Sequence, residues 1–403
     1  METTDGTRRF WADNAALGLA TVVAGLFNSA YSILLAHALG PANYGRVGAL
    51  NNLVSLFLLP MPIVSLAAIR IGKQTGRSRW LEWGSLGLGI LLFGAAVLLG
   101  PYLSRRFALS PVLVTLYLSS IILDFGYALY LGYLKRARRY AVVGFLLALA
   151  SLTGLLSVVL AITAGRQAPL AWLGIWQFTF MGVLFLLTRA FSRRVPHLPP
   201  TYVRREVVAT TLGVGTLQAL WGFSDVLFAK AHLSTVQAGL YTGLSTIGQA
   251  FPFVIASLCT VMLTAILDEP GKRRAYLSRT LWATLILGVL FIGVLLWIPD
   301  PVVRLALGSA FVPMSALVQR YSDAMAAMAL ILVFTTYGVA NGTYRTMMAA
   351  AVGTVGWLVS LITAHSMAAL VNRTLIGMVA SLVLVVLVFV VRRANETSLV
   401  DHR

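Results

Sequence analysis

The chain has 403 residues and a formal net charge of +18, yet only 11% of its residues are charged and 59% are hydrophobic. A water-soluble chain carries roughly a quarter charged residues, so this one has more apolar side chain than a soluble core would hide. With a mean hydropathy of +0.85, the composition excludes an ordinary soluble domain and specifies an all-α, polytopic membrane protein. The positive charge is not a nucleic-acid patch, because the basic residues sit in short loops between apolar runs, the usual topology signal of membrane proteins. Cys259 is the only cysteine, which leaves no disulfide framework and no cysteine metal site. Arg8 and Arg9 are accompanied by Glu2, Asp5 and Asp13 before a long first apolar run, a pattern that predicts a retained helix rather than a cleaved leader.

About 20 apolar residues cross a bilayer core. Twelve such segments are read, at approximately 15–37, 47–69, 81–103, 111–133, 140–163, 169–188, 207–230, 239–267, 277–299, 321–340, 346–368 and 375–391. Of the 31 lysines and arginines, 23 fall in the two tails and the loops after even-numbered spans. That bias predicts both termini in the cytoplasm. The longest cytoplasmic connection holds Arg193, Arg194, Pro196, Pro199, Pro200, Arg204 and Arg205. Prolines end helices and arginines favour anionic headgroups. The segment 191–206 is therefore expected to be a linker between six-span lobes at 1–190 and 207–403.

Acids inside apolar segments are costly unless paired, wetted or protonated. Asp124 in span four and Asp225 in span seven are such acids. Each belongs to a stripe at helical spacing. Span four aligns Tyr117, Ser120, Asp124 and Tyr127; span seven aligns Thr211, Gln218, Trp221 and Asp225. Span one carries Thr21, Asn28 and Ser32, and span eight carries Tyr241, Ser245 and Gln249. Lipid cannot satisfy these groups, so the stripes should face other helices or a wet cavity. Asp124, Asp225, Gln218, Trp221, Asn28, Tyr117 and Gln249 are the candidates for substrate contact or ion coupling. The competing reading gives the acids a packing role only. Asp225 and Lys230 are five apart, about 140° around a helix, so each needs a partner elsewhere.

Arg46 and Lys230 fall at outer span ends, placed either to steer a phosphate-bearing headgroup or to snorkel. His37 and His232 flank the same turns and read as satisfied interfacial residues. Pro60 and Pro62 in span two are matched by Pro252 in span eight, which predicts kinks at related points. No P-loop, paired Cys/His spacing or dinucleotide turn is present. The expectation is a non-enzyme with no cofactor and no metal, driven by an ion, potential or substrate gradient.

One turn occurs twice. The first copy runs Leu34-Leu35-Ala36-His37-Ala38-Leu39-Gly40-Pro41-Ala42-Asn43-Tyr44-Gly45, and the second runs from Leu227 to Tyr241 through Lys230, His232, Leu233 and Gly239. With one extra residue in the second copy, Leu35/Phe228, Ala36/Ala229, His37/Lys230, Leu39/Leu233, Gly45/Gly239 and Leu50/Leu244 align. A repeat at half the chain length is how two-lobed transporters are built.

The stretch Ile33–Gly45, with LLAHALGPANYG, resembles the turn between the first two spans of bacterial polysaccharide and O-antigen flippases. These belong to the multidrug/oligosaccharidyl-lipid/polysaccharide exporter superfamily. Asp225–Tyr241 resembles the span-seven turn of the same family, and Gly308-Ser309-Ala310-Phe311 its short segment before span ten. The resemblance implies two six-helix lobes, related by a pseudo-two-fold, around a central cavity that opens alternately to each side. It implies flipping of a polyprenyl-diphosphate-linked saccharide to the outer leaflet of a prokaryotic cytoplasmic membrane. Membrane lipids and polysaccharide-assembly proteins are the implied partners, with ion coupling as in relatives. Ala306 and Leu307 stand where the family often has an aromatic. The alternatives are a small-molecule or multidrug antiporter of the same superfamily, a major-facilitator-type transporter and a non-transporting scaffold for glycan assembly. Relatives of the antiporter type usually carry a carboxylate in span one, where this chain has Asn28. Gly72–Arg79 faintly resembles the facilitator loop motif but lacks its acid.

Overall fold

Lipid offers the backbone no hydrogen-bond partner, so apolar runs of spanning length close their bonds internally as helices. The computed structural model describes residues 11–34 (other than 14, 29, 32 and 33), 51–75 (other than 52, 53, 55, 56 and 59), 78–107, 111–164, 169–195 and 205–401. The described residues of 11–34 are helical (α1). Then follow α2 (Met61–Thr75), α3 (Arg79–Phe107), α4 (Pro111–Arg136), α5 (Tyr140–Ala164) and α6 (Pro169–Ser192). After these come α7 (Arg205–His232), α8 (Thr235–Asp268), α9 (Arg273–Trp297), α10 (Pro299–Leu307), α11 (Ser315–Asn341), α12 (Arg345–Ile362) and α13 (Met367–Asp401). No strand occurs among the described residues. Eight of the described helices are long and apolar enough to cross a membrane by length and composition alone. The long helices α4 and α7 are not among those eight; they hold Asp124 and Asp225.

The chain forms two compact units, Met1–Tyr202 and Val203–Arg403. In the first, α4 is the hub and packs on α2, α3, α5 and α6. In the second, α11 is the hub and packs on α8, α9, α12 and α13. Each hub is the fourth long helix of its unit, so the repeat read from the turn extends to the packing order. Close packing in a membrane depends on small residues. A Cβ on Gly132 of α4 would lie 2.8 Å from the Ser65 carbonyl of α2, and one on Gly377 of α13 would lie 2.7 Å from the Trp357 ring of α12. Burial separates inner from outer helices in the second unit. In their most apolar stretches α8 and α11 are 72% and 78% buried, against 22% for α9. Trp80 and Trp83 at the start of α3 are each 72% exposed, and Trp297 at the end of α9 is 84% exposed. Aromatic rings at helix ends suit the headgroup level.

One turn in each unit closes a helix end. Arg138 has a left-handed φ of 56°. It closes α4 in a Schellman-type cap, with Arg139 N–H on the Leu134 carbonyl and Arg138 N–H on the Lys135 carbonyl, both at 3.0 Å. Its guanidinium reaches Asp13 of α1 at 2.7 Å. The charge bias assigns both ends to one side, in agreement with this contact. In the second unit, Ser234 caps α8 and accepts from Gln237 N–H.

The prolines of the two units differ in setting. In span two Leu58 and Pro60 are turn residues, and Met61 N–H bonds the Leu58 carbonyl. Pro252, by contrast, lies inside α8, which runs unbroken for 34 residues. The short helix α10 was not legible as an element. Its end is set by Gly308, whose φ of 99° and ψ of 167° favour glycine. A 3-10 turn, Ser309–Met314, follows. It seats Phe311 so closely on α8 that a Cβ on Gly243 would lie 2.8 Å from its ring.

Candidate functional site

Three helices of the second unit bring polar side chains to one depth. Asp225 lies seven residues before the end of α7, Tyr241 six after the start of α8, and Tyr321 six after the start of α11. At 1.5 Å per residue each is about 10 Å from its helix end. Those three ends belong to the same side of the unit, so the groups meet. Asp225 is 1% exposed, and both tyrosines are fully buried.

The Asp225 carboxylate is fully engaged. Oδ1 accepts from the Val226 N–H at 2.8 Å. Oδ2 lies 3.1 Å from the Tyr241 hydroxyl and 2.5 Å from the Tyr321 hydroxyl. The two rings meet edge to face at 5.8 Å. The Tyr321 oxygen is also 3.1 Å from Ser245 Oγ on α8. A phenol has one hydrogen to donate; given to Asp225 Oδ2, it leaves the Tyr321 oxygen to accept from the Ser245 hydroxyl. A buried carboxylate without partners would cost several kcal/mol; here three donors offset that cost.

The same stretch of α7 is held at two further points. Gln249 Nε2 of α8 donates to the Gly222 carbonyl at 2.9 Å. Trp221 Nε1 donates to Thr354 Oγ1 of α12 at 2.9 Å. In a regular helix the Gly222 carbonyl takes the Val226 N–H. One helical position of α7 is thus engaged from both sides, by Gln249 and by Asp225. A ring placed against α8 completes the packing, since a Cβ on Gly248 would overlap Tyr321.

Of the residues singled out from sequence, Trp221, Asp225 and Gln249 converge here. Gln218 is half-buried one turn before Trp221. Asp124 and Asn28 belong to the other unit: Asp124 is half-buried on α4 and Asn28 is exposed on α1. Arg46 lies outside the described residues, as do the side chains of Tyr117 and Lys230 and the turn Gly40–Gly45. His232 Nδ1 lies 3.1 Å from the Phe228 carbonyl and its ring meets His365 edge-on at 5.6 Å, the satisfied role expected of it. Tyr321 and Thr354 were not singled out. Tyr321 follows the polar start of α11, where a tyrosine reads as an interfacial residue. Its signal is faint: Tyr321, Ser322 and Asp323 together open an apolar run. Among the described residues no group of three His, Cys, Asp or Glu is arranged to hold a metal.

No family model matches the chain, and no relative was found among curated proteins. Solved structures do match over nearly its whole length. A MATE transporter in complex with MaL6 aligns with a TM-score of 0.77 and 12% identity, covering 98% of this chain and 97% of that one. The outward-facing conformation of a multidrug resistance MATE family transporter of the MOP superfamily aligns at 0.71 with 14% identity, over 98% and 97%. The bent form of the Vibrio cholerae MATE transporter VcmN aligns at 0.70 with 13% identity, over 96% and 97%. At these identities the likeness establishes the fold. The chain is a multi-pass membrane protein with the two-lobed, twelve-span architecture of those transporters.

Proposed function

We propose that the chain is a secondary transporter working by alternating access, which exports amphipathic molecules in exchange for protons taken up at Asp225. The observation that carries this reading is the Tyr321 hydroxyl between Asp225 Oδ2 and Ser245 Oγ. With Asp225 ionised, Tyr321 donates to the carboxylate and ties α11 to α7. When Oδ2 takes a proton it becomes a donor, and Tyr321 turns its own hydrogen to Ser245 on α8. Bonds to a charged group contribute about 1.5–3 kcal/mol and neutral ones about 0.5–1.5. Protonation therefore weakens the α7–α11 tie by about 1 kcal/mol per bond, a severalfold shift in any equilibrium between packings. The fold neighbours, which include a multidrug resistance MATE family transporter, support this reading. The membrane would be the cytoplasmic membrane of a prokaryote, with both termini inside, as the basic loops imply.

A second reading, flipping of a polyprenyl-diphosphate-linked saccharide, is favoured by the repeated turn and by the Gly308–Phe311 segment. The two separate in proteoliposomes. One arm follows ethidium uptake driven by a pH gradient, and the other follows accessibility of a fluorescent lipid-linked saccharide to a membrane-impermeant quencher. Ethidium movement without saccharide flipping is expected. Saccharide flipping without ethidium movement would replace the antiporter by the flippase.

A further inference from the structure

The second unit carries a cavity of about 500 Å³ well away from Asp225. It opens between the start of α9, the end of α11 and the later part of α13. Arg273, Arg274, Ser278, Trp282, Tyr337 and Phe389 line it. The sequence explains its shape. Arg274, Ser278 and Trp282 recur every four residues on α9, beside a parallel row of Arg273, Leu277, Leu281 and Leu285. Residues four apart share a helix face, so one face of α9 runs from two cations through a hydroxyl to an apolar stem. The far wall is aromatic: Phe389 packs 5.2 Å from Phe334 and 6.0 Å from Tyr337. Asn341 Nδ2 is turned back onto the Tyr337 carbonyl at 2.8 Å.

The charges at the mouth are available. Arg273 and Arg274 are exposed, and Glu269, the nearest acid before them, pairs with Lys272 at 2.8 Å. Trp282 is 65% exposed and Leu285 45%, so the apolar part of the groove opens sideways, where acyl chains lie. A soluble anion has no use for that stem, and a neutral lipid has no use for two guanidinium groups.

We propose that this groove is a binding site for an anionic glycerophospholipid of the adjoining leaflet. The phosphate sits against Arg273 and Arg274, the glycerol region meets Ser278, and an acyl chain runs along Leu281, Leu285 and Trp282 beneath Phe389. Arginine suits phosphate because its planar fork donates two bonds at once. The lipid would bridge α9 to α11, the hub of the unit. This inference is independent of which molecule the protein transports.

The test uses the full chain in phosphatidylcholine vesicles, with phosphatidylglycerol brominated on its acyl chains as the quenching probe. The Trp282 signal is the fluorescence difference between the wild type and Trp282→Phe. Near a membrane each basic residue favours an anionic lipid enough that two give about a thirtyfold preference. Brominated phosphatidylglycerol should therefore quench Trp282 at about thirtyfold lower mole fraction than brominated phosphatidylcholine. Arg273→Gln/Arg274→Gln should abolish that preference while leaving quenching by phosphatidylcholine intact, which reports a folded groove. Ser278→Phe, with both arginines in place, should also reduce it by filling the cavity. An unchanged preference in the double variant would overturn the site. So would displacement of the lipid by glycerol phosphate beyond the effect of chloride at equal ionic strength, because the groove would then take a free anion.

Discussion

Asp225 is buried, fully hydrogen-bonded and shared among three helices, so its neighbours are better probes of its role than its own removal. Tyr321→Phe keeps the ring that fills the space over Gly248 but removes the donor 2.5 Å from Oδ2. Loss of a bond to a charged, buried group costs about 1.5–3 kcal/mol. Tyr321→Phe is expected to lower the melting temperature of the purified protein and to reduce transport about tenfold or more, a factor equivalent to 1.4 kcal/mol. Gly248→Ala removes no polar group but displaces the ring and with it the Tyr321 hydroxyl. It should reproduce the transport defect; full transport with a displaced ring would show that the Tyr321 bond is dispensable. Much of this cluster is legible in sequence. Asp225 stands out because an acid in an apolar run is expensive, and Tyr241, Ser245 and Gln249 stand out by their spacing. Tyr321 is not legible, because its meaning depends on which helix packs beside it. Lys230 and Asp225, about 140° apart around the helix, are poorly placed to pair, a point legible without tertiary knowledge.

Elements were easier to place than side chains. An apolar run of spanning length has one outcome in lipid, so most of the long helices in the described residues overlap the expected spans, while α2 begins only at Met61, later than the span read at 47–69. What lay beyond reach were the features that need tertiary support. Pro60 stands just before α2 and Pro62 in its first turn, while the single Pro252 lies inside α8. The short α10 is too brief to be stable alone and depends on what it packs against. Gly308 makes this contact testable. Its φ of 99° is strained for any residue with a Cβ, at a cost of about 1–3 kcal/mol. Gly308→Ala should lower thermal stability by about that amount and loosen Phe311 from Gly243 at the α8 start, near Tyr241. Hydrogen exchange should then rise in Ser309–Met314 before it rises in α11. Unchanged stability would mean that the turn relaxes without the α8 contact.

For the whole molecule, the like packing of α4 and α11 extends the duplication first seen in a short turn. The units nevertheless differ in chemistry: Asp225 of the second is held by the Tyr241 and Tyr321 hydroxyls, whereas Asp124 of the first has Ser120 of its own helix as a hydrogen-bond partner. The placement of basic residues predicts a topology, a statistical signal that labelling checks directly. Cys259 is buried, so a Cys259→Ala background suits single cysteines at the exposed positions Gln237 and Gly271. In intact cells an impermeant maleimide should label Gln237→Cys at once and Gly271→Cys only after permeabilisation. The opposite order would invert the protein in the membrane. The central claim, proton coupling at Asp225, is tested most directly by Asp225→Asn in proteoliposomes under an imposed pH gradient. Asparagine keeps the shape and an acceptor but takes up no proton. The wild type should drive ethidium uphill against its gradient, while the variant, correctly folded, should only equilibrate it. Uphill movement by Asp225→Asn at the wild-type rate would contradict the account.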